Sequence, residues 1–150
     1  MKNTIYLFLI TMFLFACKDD DIKPPFNIQE FYENHEAVNW TKETATGHLQ
    51  GKWKLVYTYC CAMATSQNWD EIEDGYFELQ FDGDTIKVFS EGKLEQTQYW
   101  GFEERYEEVL YLETDEPISN TFGTIYFSQD YMLFNGYPSD GPDSYFEKVE

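Results

Sequence analysis

Tyr76-Phe77-Glu78-Leu79-Gln80-Phe81-Asp82-Gly83-Asp84-Thr85-Ile86-Lys87-Val88-Phe89-Ser90 is the stretch on which the fold turns. Its first six residues alternate, with Phe77, Leu79 and Phe81 on one side and Tyr76, Glu78 and Gln80 on the other. That period of two belongs to a half-buried strand, not to a helix of period 3.6. Asp82-Gly83-Asp84 then supplies a tight turn, because glycine accepts a positive φ without steric penalty. Thr85 to Ser90 follows as a second strand, and two strands joined so briefly run antiparallel.

The same reading extends outward in both directions. Upstream, Lys52 to Tyr59 places Trp53, Leu55, Tyr57 and Tyr59 on one face. Downstream, Glu91-Gly92 makes another turn, and strands are expected over Leu94 to Glu103, Glu108 to Thr114, Thr121 to Ser128, Tyr131 to Tyr137 and Ser144 to Val149. These eight strands have short connections and lack the helical crossovers that parallel strands need. The expected fold is all-β, an eight-stranded antiparallel meander closed into a barrel, which removes the exposed edges that invite aggregation. An open sheet or a sandwich is the alternative.

The N-terminal part reads as an address. Lys2 precedes a nearly unbroken apolar run from Ile5 to Ala16, interrupted by Thr11. A dozen residues are too few to span a hydrocarbon core of about 30 Å, so residues 1–16 read as a secretory signal peptide. Leu14-Phe15-Ala16-Cys17 resembles the lipobox of bacterial lipoproteins. That resemblance implies cleavage before Cys17 and a diacylglycerol thioether on its sulfur, with Cys17 as the acylated anchor. Two or more acyl chains make such anchoring durable. Lys18-Asp19-Asp20-Asp21 is similar to the export signal of Bacteroidota surface lipoproteins, which implies the outer membrane with the protein facing the cell exterior; a solvated acidic linker is the other reading. Residues 17–46 form the lipidated N-terminus, a tether ending in Pro24-Pro25, and a short helix over Ile28 to Ala37 with Asn27 as N-cap and Glu30 as its reciprocal partner. Val38 to Thr46 carries no strong pattern, and the barrel domain is placed at 47–150.

The 150-residue chain carries a formal net charge of −18, and loss of Lys2 with the signal makes it −19. That charge excludes nucleic acid, whose phosphates it repels, and disfavours attraction to anionic head groups. It suits a basic protein partner, a cationic ligand or a divalent metal, although solvation alone also explains it. Aromatic residues make up 19% of the chain, which excludes disorder for most of it.

Leu49-Gln50-Gly51-Lys52-Trp53-Lys54-Leu55 resembles the first strand of lipocalin-like proteins, which open with Gly-x-Trp. Gln129-Asp130-Tyr131 is similar to their Thr-Asp-Tyr turn, with Gln in place of Thr. Tyr145-Phe146-Glu147-Lys148 resembles the ending of small lipocalin-like lipoproteins of Bacteroidota. The resemblance covers roughly Leu49 to Val149. It implies that Gly51 allows a close bend and that the Trp53 indole plugs one barrel end. Larger lipocalins stack a C-terminal Arg on this Trp; here only Lys148 stands in a position to substitute.

Candidate sites are few. Eight strands enclose room for side chains or one small ligand, and Trp53, Tyr57, Phe77, Phe81, Trp100 and Phe134 are the expected pocket wall. The connection from Cys60 to Gly75 is the one long gap, and loops of that length are usually functional or mobile. In the family the corresponding loop folds across the barrel mouth. Trp69 is then either a lid residue, with Met63 as an adaptable neighbour, or an anchor of the loop on the rim. Cys60 and Cys61 are adjacent, so a vicinal disulfide needs a distorted loop; free thiols and an intermolecular bond are its rivals. No metal is expected, since the pair lacks zinc-ligand spacing and His48 is only a speculative third ligand. The acidic clusters Asp70-Glu71-Glu73-Asp74 and Glu103-Glu104-Glu107-Glu108 lack EF-hand spacing and read as solvated charge. His35 and His48 are the only histidines, and no Gly-x-Ser-x-Gly or glycine-rich phosphate loop occurs, so neither an enzyme nor a cofactor is expected. The first functional reading is therefore a surface-exposed, lipid-anchored, lipocalin-like binding protein for a small apolar or amphipathic ligand. The alternative is an acidic interaction or inhibitor module that docks on a basic protein.

Overall fold

A computed structural model describes residues 27–59, 69–105, 109–136 and 141–149. Two helices, α1 (Ile28–Glu36) and α2 (Lys42–Leu49), precede nine strands: β1 (Gly51–Tyr59), β2 (Asp70–Glu71), β3 (Phe77–Asp82), β4 (Thr85–Ser90), β5 (Lys93–Arg105), β6 (Val109–Thr114), β7 (Thr124–Ser128), β8 (Tyr131–Asn135) and β9 (Asp143–Val149). From β3 to β9 each strand pairs antiparallel with the next, and β9 returns to β1, which also pairs with β3. These eight strands close an antiparallel barrel through the β1–β9 pairing, the expected closure rather than an open sheet or a sandwich. The ninth, β2, is a two-residue stub beside the C-terminal half of β1, where Tyr57 faces Glu71 and Thr58 faces Asp70. β3 takes over beside its N-terminal half, from Lys54–Glu78 to Gly51–Phe81.

Turn chemistry sets the hairpins. Gly83 has φ +60° between β3 and β4, and Glu91 and Gly92 both take positive φ between β4 and β5, the pairing that matches the right-handed strand twist. In β3, Phe77, Leu79 and Phe81 are buried while Glu78 and Gln80 are only partly covered. β1 departs from strict alternation. Opposite β9 its register slips between Leu55, which faces Phe146, and Tyr57, which faces Tyr145. Val56 is the extra residue of a β-bulge, and one extra residue turns everything beyond it to the opposite face. Trp53 and Leu55 point into the barrel, whereas Tyr57 joins an outer cluster. The single face expected for Trp53, Leu55, Tyr57 and Tyr59 is thus split at Val56.

Two apolar clusters result. The interior holds Trp53, Leu79, Phe81, Ile86, Phe127, Phe134 and Phe146 among others, together with Ala45 and Leu49 of α2. An outer cluster packs Phe31 of α1 on Leu133 and Tyr145, flanked by Tyr32, Tyr126 and Trp69. Asn27 caps α1, its side chain accepting from the Gln29 N–H at 3.0 Å. The reciprocal cap found in the structure belongs to α2, where Thr41 accepts from the Thr44 N–H and Thr44 from the Thr41 N–H. That helix was not expected: two threonines, a glycine and a histidine in eight residues leave little amphipathic signal. Its Ala45 and Leu49 are fully buried, and the Trp53 indole N–H donates to Leu49 O at 2.8 Å. α2 therefore closes one barrel end, and the boundary drawn at residue 47 falls inside it.

Candidate functional site

The interior is filled by the residues expected to wall a pocket. Trp53, Phe77, Phe81 and Phe134 are buried within it. Phe81 and Trp100 lie 4.9 Å apart, Trp100 and Phe102 5.5 Å, Phe77 and Phe146 6.1 Å, and Phe134 and Phe146 5.7 Å, all edge to face. Trp100 is half-buried at the α2 end, its indole N–H donating to Gly83 O. These rings use their edges and faces on one another.

From the connection between β6 and β7, Ile118 also enters the core, 1% exposed. Gln98 holds this connection as a strand would: its amide accepts from the Glu116 N–H at 2.7 Å and donates to Glu116 O at 3.1 Å. Thr121 Oγ1 donates to Ile118 O. Beside Ile118 a mouth groove of about 550 Å³ is lined by Tyr76, Phe77, Val88, Gln96, Pro117 and Asn120.

Tyr57 and Trp69 lie elsewhere. Both belong to the outer cluster, and Trp69 packs 4.7 Å from Tyr59 and 4.7 Å from Tyr145. That placement corrects the assignment of Tyr57 to the interior wall and, of the two roles open to Trp69, favours an anchor on the barrel's flank over a lid residue. Tyr57 instead lines an outer groove of about 660 Å³ with Lys54, Val56, Glu71, Ile72, Glu73, Asp74, Tyr131 and Glu147. The Val56 bulge and the break between β2 and β3 make this groove. Ile72 N–H still donates to Val56 O at 2.9 Å, but the chain then loops away through Glu73 to Tyr76 before β3 begins.

The groove's electrostatics centre on Lys54. Its Nζ lies 3.2 Å from Glu147 and 3.6 Å from Asp74, and the hydrogen bond to Glu147 raises its pKa. Burial raises the Tyr57 phenol, assisted by Glu71 and Glu147. Burial likewise raises Tyr131, assisted by Glu147. Both phenols stay protonated at neutral pH, and that of Tyr131 donates to Glu147 at 3.4 Å. Glu71, Glu73 and Asp74 are exposed. In the sequence Tyr57 and the acidic run stand out as site candidates, whereas Lys54, Tyr131 and Glu147 lie in the family-like motifs with no binding role assigned. Lys54, Tyr131 and Glu147 become neighbours only because β9 closes onto β1.

The histidines sit at the α2 end. His48 packs 5.0 Å from Trp40 and 5.7 Å from Trp53. Among the described residues no three His, Cys, Asp or Glu side chains gather as metal ligands. Cys17, Cys60, Cys61 and Met63 lie outside the described residues, as does most of the second acidic cluster. No protein-family model, curated protein or solved structure matches this chain. A closed eight-stranded antiparallel barrel is compatible with a calycin-like binder.

Proposed function

We propose that this chain is a binding protein tethered to the outer membrane through Cys17 and displayed outward, and that it meets its ligand on the outside of the barrel. The observation that carries this reading is the contrast between the two surfaces. The interior aromatics are spent on each other, whereas the groove along β1 presents Tyr57 and Tyr131 beside four carboxylates and one ammonium. Tyrosine rings with adjacent carboxylates suit a lysine or arginine side chain, through cation–π attraction and charge pairing. A basic segment of a protein partner is the proposed ligand, and the net charge of −18 steers it inward.

The test is titration of the full mature chain with a labelled oligolysine peptide at low and at physiological salt. Binding that weakens at least tenfold with salt, and is lost in Glu71→Gln/Glu73→Gln, supports the reading. Binding indifferent to both overturns it.

A second reading rests on the mouth groove beside Ile118. Its mixed lining of Tyr76, Phe77, Val88 and Gln96 suits a small amphipathic molecule entering as Ile118 withdraws. Native mass spectrometry of protein from its own host's envelope separates the two, because a cargo lost on denaturation belongs to the mouth and not to a salt-sensitive outer groove.

A further inference from the structure

The barrel is least continuous between β6 and β7. Among the described residues these strands share one register pair, Tyr111 with Thr124, against five between β7 and β8. α1 covers the seam. Phe127 donates its backbone N–H to His35 Nδ1 at 2.8 Å, and Asn34 donates to Ser128 Oγ at 3.1 Å. The His35 ring thus accepts a β7 backbone N–H as a neighbouring strand would, and Asn34 adds a side-chain tie beside it.

His35 is one half of an arrangement that includes the other histidine. Trp40, from the link between the helices, stacks on His35 at 6.0 Å and 15° and approaches His48 of α2 at 5.0 Å. Phe127 of β7 touches all three rings: 6.2 Å to His35, 4.7 Å to Trp40 and 5.0 Å to His48. Both helices meet the barrel through this stack.

We propose that His35 and His48 form a proton-operated latch that holds α1 and α2 against the β6–β7 seam and the adjoining barrel end. Nδ1 of His35 accepts from Phe127 only while the ring is neutral. A proton there sets two N–H groups against each other and places a charge among Trp40, Tyr126 and Phe127. His48 O already accepts Lys148 Nζ at 2.7 Å, so a charged His48 ring stands beside a second cation.

The groups facing the pair are few. Asp130, from the β7–β8 turn, favours a charged His48, and Lys148 of β9 opposes it. Tyr126 of β7 packs on His35 at 5.0 Å and is neutral, its own pKa raised by burial. Glu36 follows His35 in α1 and is exposed. Burial prevails at both rings, pushing His35 down to about 4 and lowering His48. Each ring returns to about 6.5 when released to water. For His35 alone the docked-to-released ratio then falls about 20-fold between pH 7 and pH 5. Release uncovers the Phe127 N–H and withdraws Ala45 and Leu49 from the barrel end.

The experiment is hydrogen exchange of the full chain at pH 7, 6 and 5, corrected for intrinsic rates. Protection of α1 and α2 amides should drop about 20-fold or more by pH 5 while β3 and β4 keep theirs. His35→Gln/His48→Gln, which retains an acceptor for Phe127 but does not titrate, should remove the pH dependence. Should that variant fail to fold, ring titration of the unsubstituted chain by NMR decides: His35 must titrate near 4 and His48 below the free imidazole value. Helix protection unchanged to pH 5, an equal drop in the double variant, or rings titrating near 6.5 each overturns the latch.

Discussion

Lys148 lies over the indole of Trp53, its Nζ 5.2 Å from the ring centroid and 2.7 Å from His48 O. One ammonium therefore ties β9 to β1 and to α2, at the barrel end where Trp53 donates to Leu49. Gly51, at φ +110°, brings the backbone close to the lysine stem, since a Cβ there would stand 3.5 Å from Lys148 Cε. Lys148→Ala loses the cation–π contact and a charge-assisted hydrogen bond, together about 1–3 kcal/mol. For a chain of this size the melting temperature falls about 2–4 °C per kcal/mol. Lys148→Arg should retain most of that stability, and thermal unfolding of the two variants checks the pair.

Two glycines should respond in opposite ways to alanine. At Gly123, φ is +95° and an added Cβ would meet Asn135 O at 1.8 Å, a backbone atom that moves only if β8 moves. Gly123→Ala should cost more than about 3 kcal/mol, a combined backbone-strain and overpacking loss. Gly47 stands within α2 with open space around it, so Gly47→Ala should stabilise by about 0.5–1 kcal/mol through helix propensity. Urea denaturation midpoints measure both.

The barrel was legible because its central hairpin carries its own period and its own turn, as Phe77, Leu79 and Phe81 do ahead of Gly83 and Ile86 and Val88 do after it. What escaped the sequence came from long-range pairing. Nothing in Leu55-Val56-Tyr57 marks Val56 as a bulge; the slip exists only against β9, some ninety positions away. Strict alternation accordingly assigns Tyr57 to an interior that it does not enter. The outer groove was hidden for the same reason, since Lys54 and Glu147 become neighbours only on closure. α2 was missed because its fixing contacts, Leu49 in the core and the Trp53 bond to Leu49 O, are tertiary.

Acid should act on two half-buried groups with opposite sign. The folded pKa of His35 lies near 4, below its unfolded value, so its contribution is complete above pH 6.5 and is lost as pH falls toward 4. Asp143 is raised by burial, although it accepts from the Gly136 N–H at 3.0 Å. Its folded form prefers the proton, so acidification through its folded pKa favours folding. At neutral pH, Asp143→Asn should match or exceed the unsubstituted chain in stability, because Asn keeps the acceptor and sheds the buried charge. Urea midpoints at pH 7 and pH 5 should show His35→Gln flattening the acid loss and Asp143→Asn steepening it.

Scaffold and site should separate under mutation. Ile118→Ala empties a position 1% exposed in the core and should cost about 2–5 kcal/mol. If the interior serves only as scaffold, that variant still binds oligolysine with unchanged affinity at temperatures where it remains folded. Glu71→Gln and Glu73→Gln alter exposed side chains and should shift stability by less than about 0.5 kcal/mol while weakening the same binding severalfold. The opposite pattern, with Ile118→Ala changing affinity and the glutamate variants inert, would move the binding site from the outer groove to the mouth. Calorimetric titration alongside thermal unfolding of each variant reads both quantities on the same protein.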